Sequence, residues 1–201
     1  FMDWNAVAKE KNRKDYAEAY FPIADKKGNT AMQIVASGPD DEDQTIKMGF
    51  LKMISQAKES IYIQTPYFIP DESLHEMLKI AVLSGVKVKI MIPSKPDHPF
   101  VYRATEYFAK DIVEYGAEVY MYQNGFLHSK VIVVDDEIVS VGTANMDVRS
   151  FKLNFEINAF IYDRDVAEEL IANFDEDQKN CIRATHDYFA KQSKWRKFKQ
   201  A

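Results

Sequence analysis

A chain of 201 residues with 46% hydrophobic and 28% charged residues has the composition of a globular protein with room for one substantial core. The formal net charge of −5 argues against the broad basic face that nucleic-acid binders present, so no nucleic-acid partner is expected. Cys181 is the single cysteine, which excludes an internal disulfide and fits a reducing compartment, and no run approaches the roughly 20 apolar residues of a membrane-spanning helix.

Residues 1–30 are mixed and polar, with a lysine-rich short helix around Lys9 to Lys14 and breaks at Pro22 and Gly28. They read as a connector ahead of a domain over residues 31–201. Residues 32–36 form a short apolar strand, and 38–43 an acidic turn. Over 45–60, Ile46, Phe50, Met53, Ile54 and Ala57 recur at helical spacing. A strand over 61–63 and a loop over 65–70 follow. Asp71 is placed to cap a helix that runs through Ser84 and stops at Gly85, with Leu74, Met77, Leu78, Ala81 and Val82 inward. His75 and His186 fall on helices and are expected to be exposed. Residues 86–92 alternate as a strand, 93–99 form a proline-rich loop, 100–115 a helix closed by Gly116, and 117–122 a strand. This β-α order implies an α/β sandwich with a mixed, mostly parallel sheet flanked by helices. Two further strands, 128–134 and 138–141, face each other across the Asp135-Asp136-Glu137 turn as a hairpin. Residues 155–162 are the last strand and 163–190 carry one or two helices. The tail over 191–199 is basic with two aromatics, and reads as a helix end or as a surface for an anionic bilayer.

The chemistry concentrates between Leu127 and Glu156. His128, Lys130 and Asp135 stand in the spacing H-x-K-x4-D, and Gly142-Thr143-Ala144-Asn145 follows as G-T-x-N. On a strand, positions two apart share a face, so His128 and Lys130 point the same way. An imidazole beside an ammonium suits a phosphate: the lysine holds the anion while the histidine attacks phosphorus or protonates a leaving oxygen. Asp135 lies seven positions from His128 and faces the other way, where it braces the strand end and turn. Glu156, in the apolar run F-E-I-N-A-F-I, needs a buried partner. His98 sits on the proline-rich loop as a surface residue. The histidines are scattered and the cysteine is alone, so no metal site is expected.

These residues resemble the HKD signature of the phospholipase D superfamily. Gln64-Thr-Pro-Tyr-Phe-Ile-Pro-Asp-Glu72, the segment from Ile92 to Arg103, and Gly125-Phe-Leu-His128 are similar to the second half of bacterial cardiolipin synthases. The resemblance implies a phosphatidyltransferase that works through a phosphohistidine, needs no cofactor and acts on phosphatidylglycerol, an anionic phospholipid. It assigns His128, Lys130, Asp135 and Glu156 to the catalytic set, with Glu156 on the ring nitrogen of the histidine. Lys130, Thr143 and Asn145 are assigned to the substrate phosphate. It also implies that the chain is one half of a membrane-associated protein with its catalytic part cytoplasmic. A first HKD half would then be its partner, or a second copy in a homodimer, and the isolated fragment would be soluble.

Overall fold

Alternating apolar residues set the strands, and the strands set where the site lies. The computed structural model describes residues 2–190 apart from 16, 24, 26 and 96. Helix α1 (Met2–Val7) and two single 3-10 turns precede strand β1 (Ala31–Ser37). There follow α2 (Thr45–Gln56), β2 (Ser60–Gln64), β3 (Phe68–Ile69), α3 (Glu72–Leu83), β4 (Lys87–Pro93), α4 (Pro99–Tyr115) and β5 (Glu118–Tyr122). The second part holds β6 (Val131–Val134), β7 (Ile138–Gly142), β8 (Met146–Asp147), α5 (Val148–Lys152), β9 (Glu156–Tyr162), α6 (Arg164–Gln178), β10 (Cys181–Arg183) and α7 (His186–Ala190). The basic tail over 191–199 lies outside the described residues.

Eight strands form one sheet in the order β1-β9-β7-β6-β2-β4-β5-β10, and β3 and β8 form a small parallel pair beside it. The α/β sandwich is as expected, but the mostly parallel sheet is not. Within this sheet β2/β4 and β4/β5 pair in parallel, each joined by a helical crossover, α3 and α4, that returns the chain to a neighbouring position. The β6–β7 hairpin and the returns of β9, β1 and β10 make the other pairings antiparallel. Sequence patterning also missed β10, whose three residues pair with β5 inside the stretch assigned to helix.

The helical stripes pack where their spacing puts them. Ile46 and Phe50 of α2, Leu74 and Leu78 of α3 and Ile112 of α4 meet Ile61, Ile63, Ile90 and Ile132 on one sheet face. Helix α6 covers the other face, with Ala167 against Val133, Val139 and Ile161, and Phe174 against Met91 and Tyr120. Burying a side chain of this kind contributes about 1.5–3 kcal/mol, so this two-sided core is the main stabilising term. Asp71 caps α3 by accepting from the Leu74 N–H at 3.1 Å, and Gly116 ends α4 at φ 112°, a left-handed conformation that glycine adopts without strain. His75 is buried, against expectation. It sits one position past Leu74 on the inward side of α3, edge-on to the Phe108 ring, with Nε2 2.7 Å from Asp111. Helix periodicity counts a histidine as polar, and here a neighbouring helix supplies its partner.

Candidate active site

The site is assembled at one end of the sheet by a close strand approach. Val131 of β6 pairs with Val141 of β7, and Gly142 pairs with Asn158 of β9. A Cβ on Gly142 would stand 2.2 Å from the Ile157 carbonyl oxygen and 2.6 Å from the Asn158 Cα, so only glycine lets β7 and β9 meet here. The chain then turns on fixed polar contacts. The Thr143 N–H donates to the Ile157 carbonyl at 2.9 Å, and the Ala144 N–H donates to Oδ1 of buried Asn158 at 3.1 Å. Nδ2 of Asn158 donates to the Ser140 hydroxyl at 3.0 Å, so the buried amide is satisfied on both sides. Strand β8 lies parallel to β3, and the Thr65 hydroxyl ties the two by accepting from the Met146 N–H at 3.2 Å while donating to the Tyr67 carbonyl at 2.9 Å. Asp147 caps α5 through the Ser150 N–H at 2.6 Å, and the Ser150 hydroxyl accepts from the Asn145 N–H at 3.1 Å. Asn145 is thereby held on a pinned backbone.

His128 and Lys130 lie in the extended segment just before β6, not within the strand as expected. They nevertheless stay together: Nζ of Lys130 donates to the His128 carbonyl oxygen at 2.9 Å. His128 is exposed, with its ring 5.9 Å from that of Phe126. Lys130 is half-buried. Burial pulls the pKa of its ammonium down, and the negative charges of Glu156 and Asp147 oppose the fall. Asp147 is buried, which raises the pKa of its carboxyl. The Asn145 side chain bonds the Asp147 carboxylate, and its Oδ1 is buried without a hydrogen-bond partner. A half-buried cation, an amide and an exposed imidazole thus gather at one end of the sheet, groups whose chemistry suits an anion and proton transfer.

Asp135, Thr143 and Glu156 all engage neighbouring residues of the fold. Asp135 braces the turn, as its facing suggested, rather than joining the catalytic set: seven extended residues separate it from His128 by roughly 23 Å. Its carboxylate accepts from the backbone N–H groups of Lys58, Glu59 and Ser60 at 2.8, 2.8 and 2.9 Å, and so ties the β6–β7 turn to the start of β2. The Thr143 hydroxyl extends the β7–β9 ladder: its oxygen accepts from the Ile157 N–H at 2.8 Å and it donates to the Ile157 carbonyl at 3.4 Å. Glu156 is buried but does not hydrogen-bond His128. It accepts from Nδ2 of Asn154 at 3.1 Å and acts on Lys130 through its charge. His98 is exposed at the start of α4 with no side-chain cap bond, as a surface residue would be.

Two residues of the site were not singled out from sequence. Asp147 carried a signal in N-M-D-V-R-S, where an aspartate three positions before a serine opens a helix. Asn158 carried a weaker one, as an amide inside an apolar strand.

Comparison with known proteins agrees with this geometry. The family described as "Cardiolipin synthase, PLD-like domain" matches residues 50–178. The chain is 56% identical over 200 residues to a cardiolipin synthase of Listeria welshimeri and 54% identical over 200 residues to the major cardiolipin synthase ClsA of Bacillus subtilis. It is covered completely in both cases but spans 41% of each relative's length. Among solved structures, the phospholipase D family member Nuc from Salmonella typhimurium superposes with a TM-score of 0.67 at 23% identity, over 78% of this chain and 99% of that one. The phosphatidylserine synthase of Haemophilus influenzae superposes with a TM-score of 0.66 at 18% identity, over 85% and 44%. The fold, the H-x-K segment beside the G-T-x-N turn, and the match over residues 50–178 place this chain in the PLD-like domain family of cardiolipin synthases.

Proposed function

We propose that this chain supplies one catalytic half of a phosphatidyltransferase that joins two phosphatidylglycerols into cardiolipin and releases glycerol. The observation that carries the reading is the pairing of Lys130 with His128: the ammonium is held 2.9 Å from the His128 carbonyl, ahead of β6, at the end of the sheet where the turn that carries Asn145 leaves β7. The identity to cardiolipin synthases of Listeria and Bacillus supports the substrate class.

The reaction needs two histidines. One attacks phosphorus to form a phosphohistidine while the glycerol oxygen leaves with a proton from the other. That second histidine then takes the proton from a hydroxyl of an incoming phosphatidylglycerol, whose oxygen displaces the first and forms cardiolipin. His128 serves as the proton-transferring partner. Lys130 and the amide of Asn145 hold the non-bridging oxygens, where a fixed cation lowers the barrier as charge builds. Glu156 and Asp147 keep Lys130 charged against its burial. The chain holds one such motif, so the nucleophile comes from another half. Exposed apolar side chains at this end, Leu153, Phe155 and Ile157, support a partner surface here.

The test is a trapping experiment in a full-length cardiolipin synthase carrying these residues. His128→Ala abolishes cardiolipin formation, while a phosphatidyl donor with an activated leaving group still loads the enzyme, because its departure needs no proton. Cardiolipin formation by the variant within tenfold of the parent refutes the catalytic role. Absence of loading by the activated donor shifts His128 to nucleophile. A second arrangement, two copies of this chain joined at the same apolar end, is read by sedimentation together with turnover across protein concentration.

A further inference from the structure

We infer that Tyr67 and Asp97 form a polyol-recognising edge of this site, which holds the glycerol hydroxyls of the substrate; the inference rests on the phosphatidyl-transfer reading. The placement comes from the small ladder. Phe68 of β3 pairs with Met146 of β8, and Ile69 with Asp147, in parallel. Tyr67 and Asn145 are the residues that enter the first rung of this ladder from either side. Thr65, whose hydroxyl bonds the Tyr67 carbonyl, lines a small cavity together with Lys130, Ala144 and Met146, and the charge of Asp147 bears on both the Tyr67 phenol and Lys130. The Thr65 hydroxyl fixes the Tyr67 backbone from below.

The hydroxyl of Tyr67 donates to Oδ2 of Asp97 on the loop ahead of α4. This bond bridges two loops across the rim of the site. Burial and the Asp97 carboxylate push the phenol's pKa up to about 12, so the phenol keeps its proton for that bond. What the pair then offers outward is acceptors only: a lone pair on the phenol oxygen and the second carboxylate oxygen of exposed Asp97. Two adjacent acceptors fit two adjacent hydroxyl donors, the arrangement of a glycerol headgroup. They repel a phosphate, which the Lys130 side of the site takes instead. The two halves of the headgroup are thus sorted by charge, phosphorus toward Lys130 and hydroxyls toward Tyr67 and Asp97.

The experiment measures how the phosphatidyl-enzyme is partitioned. A full-length enzyme carrying these residues is given phosphatidylglycerol and labelled glycerol in water. Label entering phosphatidylglycerol reports glycerol as acceptor, and phosphatidic acid reports water. Both products drain the same intermediate, so their ratio isolates acceptor recognition from folding and from chemistry. Tyr67→Phe and Asp97→Asn each lower the glycerol-to-water ratio at least tenfold and raise the apparent KM for glycerol. A structural role alone lowers both products in step, leaves the ratio within twofold and overturns the assignment. A larger loss with ethanolamine than with glycerol as acceptor also overturns it, in favour of an ammonium site. A parent enzyme that forms neither product overturns the transfer reading itself, and the polyol edge with it.

Discussion

Replacing Asp135 separates brace from chemistry. Its carboxylate accepts three backbone N–H groups, of which those of Lys58 and Glu59 are exposed and that of Ser60 is part-buried. The exposed two turn to water when the carboxylate is lost, so each costs a few tenths of a kcal/mol, while the Ser60 bond to a charged acceptor is worth about 2 kcal/mol. Asp135 also sits at φ 52°, a left-handed backbone that asparagine tolerates and alanine resists by roughly 1 kcal/mol. Asp135→Asn keeps one acceptor oxygen and the backbone preference, so it costs about 1–2 kcal/mol. Asp135→Ala loses both and costs about 3–4 kcal/mol. At about 3 °C per kcal/mol for a domain of this size, the melting temperature falls by roughly 3–6 °C and 9–12 °C respectively. Circular-dichroism melts give the stabilities, and turnover measured well below both transitions gives the rate. Folded Asp135→Asn protein keeps turnover within about threefold of the parent. An unchanged melt with turnover down a thousandfold would refute the assignment of Asp135 to the brace.

Other outcomes follow from the same geometry. Lys130→Met in a full-length enzyme is expected to lower turnover by two or more powers of ten, because a cation facing the transition-state charge is lost, while circular dichroism stays that of the folded parent; turnover within tenfold refutes the role. Glu156→Gln removes a charge that holds Lys130 protonated, so the pH–rate limb that reports the ammonium moves to lower pH; an unmoved limb with a lowered melt makes Glu156 purely structural. Gly142→Ala forces the Ile157 backbone away from a 2.2 Å approach and is expected to prevent folding or to lower the melt by more than 10 °C; an unchanged melt refutes the close-approach argument. Burial holds His75 neutral and its pKa below the usual histidine value, with Asp111 only partly opposing. The native state then binds fewer protons than the unfolded chain below about pH 6.5, so stability falls as pH drops from there, by at most about 1.4 kcal/mol per pH unit for one proton. Urea titrations from pH 7.5 to 5 are expected to show this slope flattened in His75→Gln; an equal slope in the variant assigns it to other groups.

Much of this protein is local and therefore written in its sequence. The α2 and α3 stripes, the Asp71 cap, the Gly116 stop and the hairpin around Asp135 each depend on neighbours a few residues away, where spacing alone sets which side chains meet. The H-x-K pair was legible for the same reason, since a single residue separates its members, and the Lys130 ammonium reaches the His128 carbonyl oxygen within that short segment. Tertiary structure decided what depends on partners distant in the chain. Strand direction was set by how β6, β7 and β9 return, not by the β-α rhythm that suggested a parallel sheet. His75 became buried because Asp111, thirty-six residues on, met its ring nitrogen. Asp135 found its three N–H partners more than seventy residues upstream. Alternation along a strand fixes a face but not which neighbour occupies it, and that choice belongs to the packed sheet.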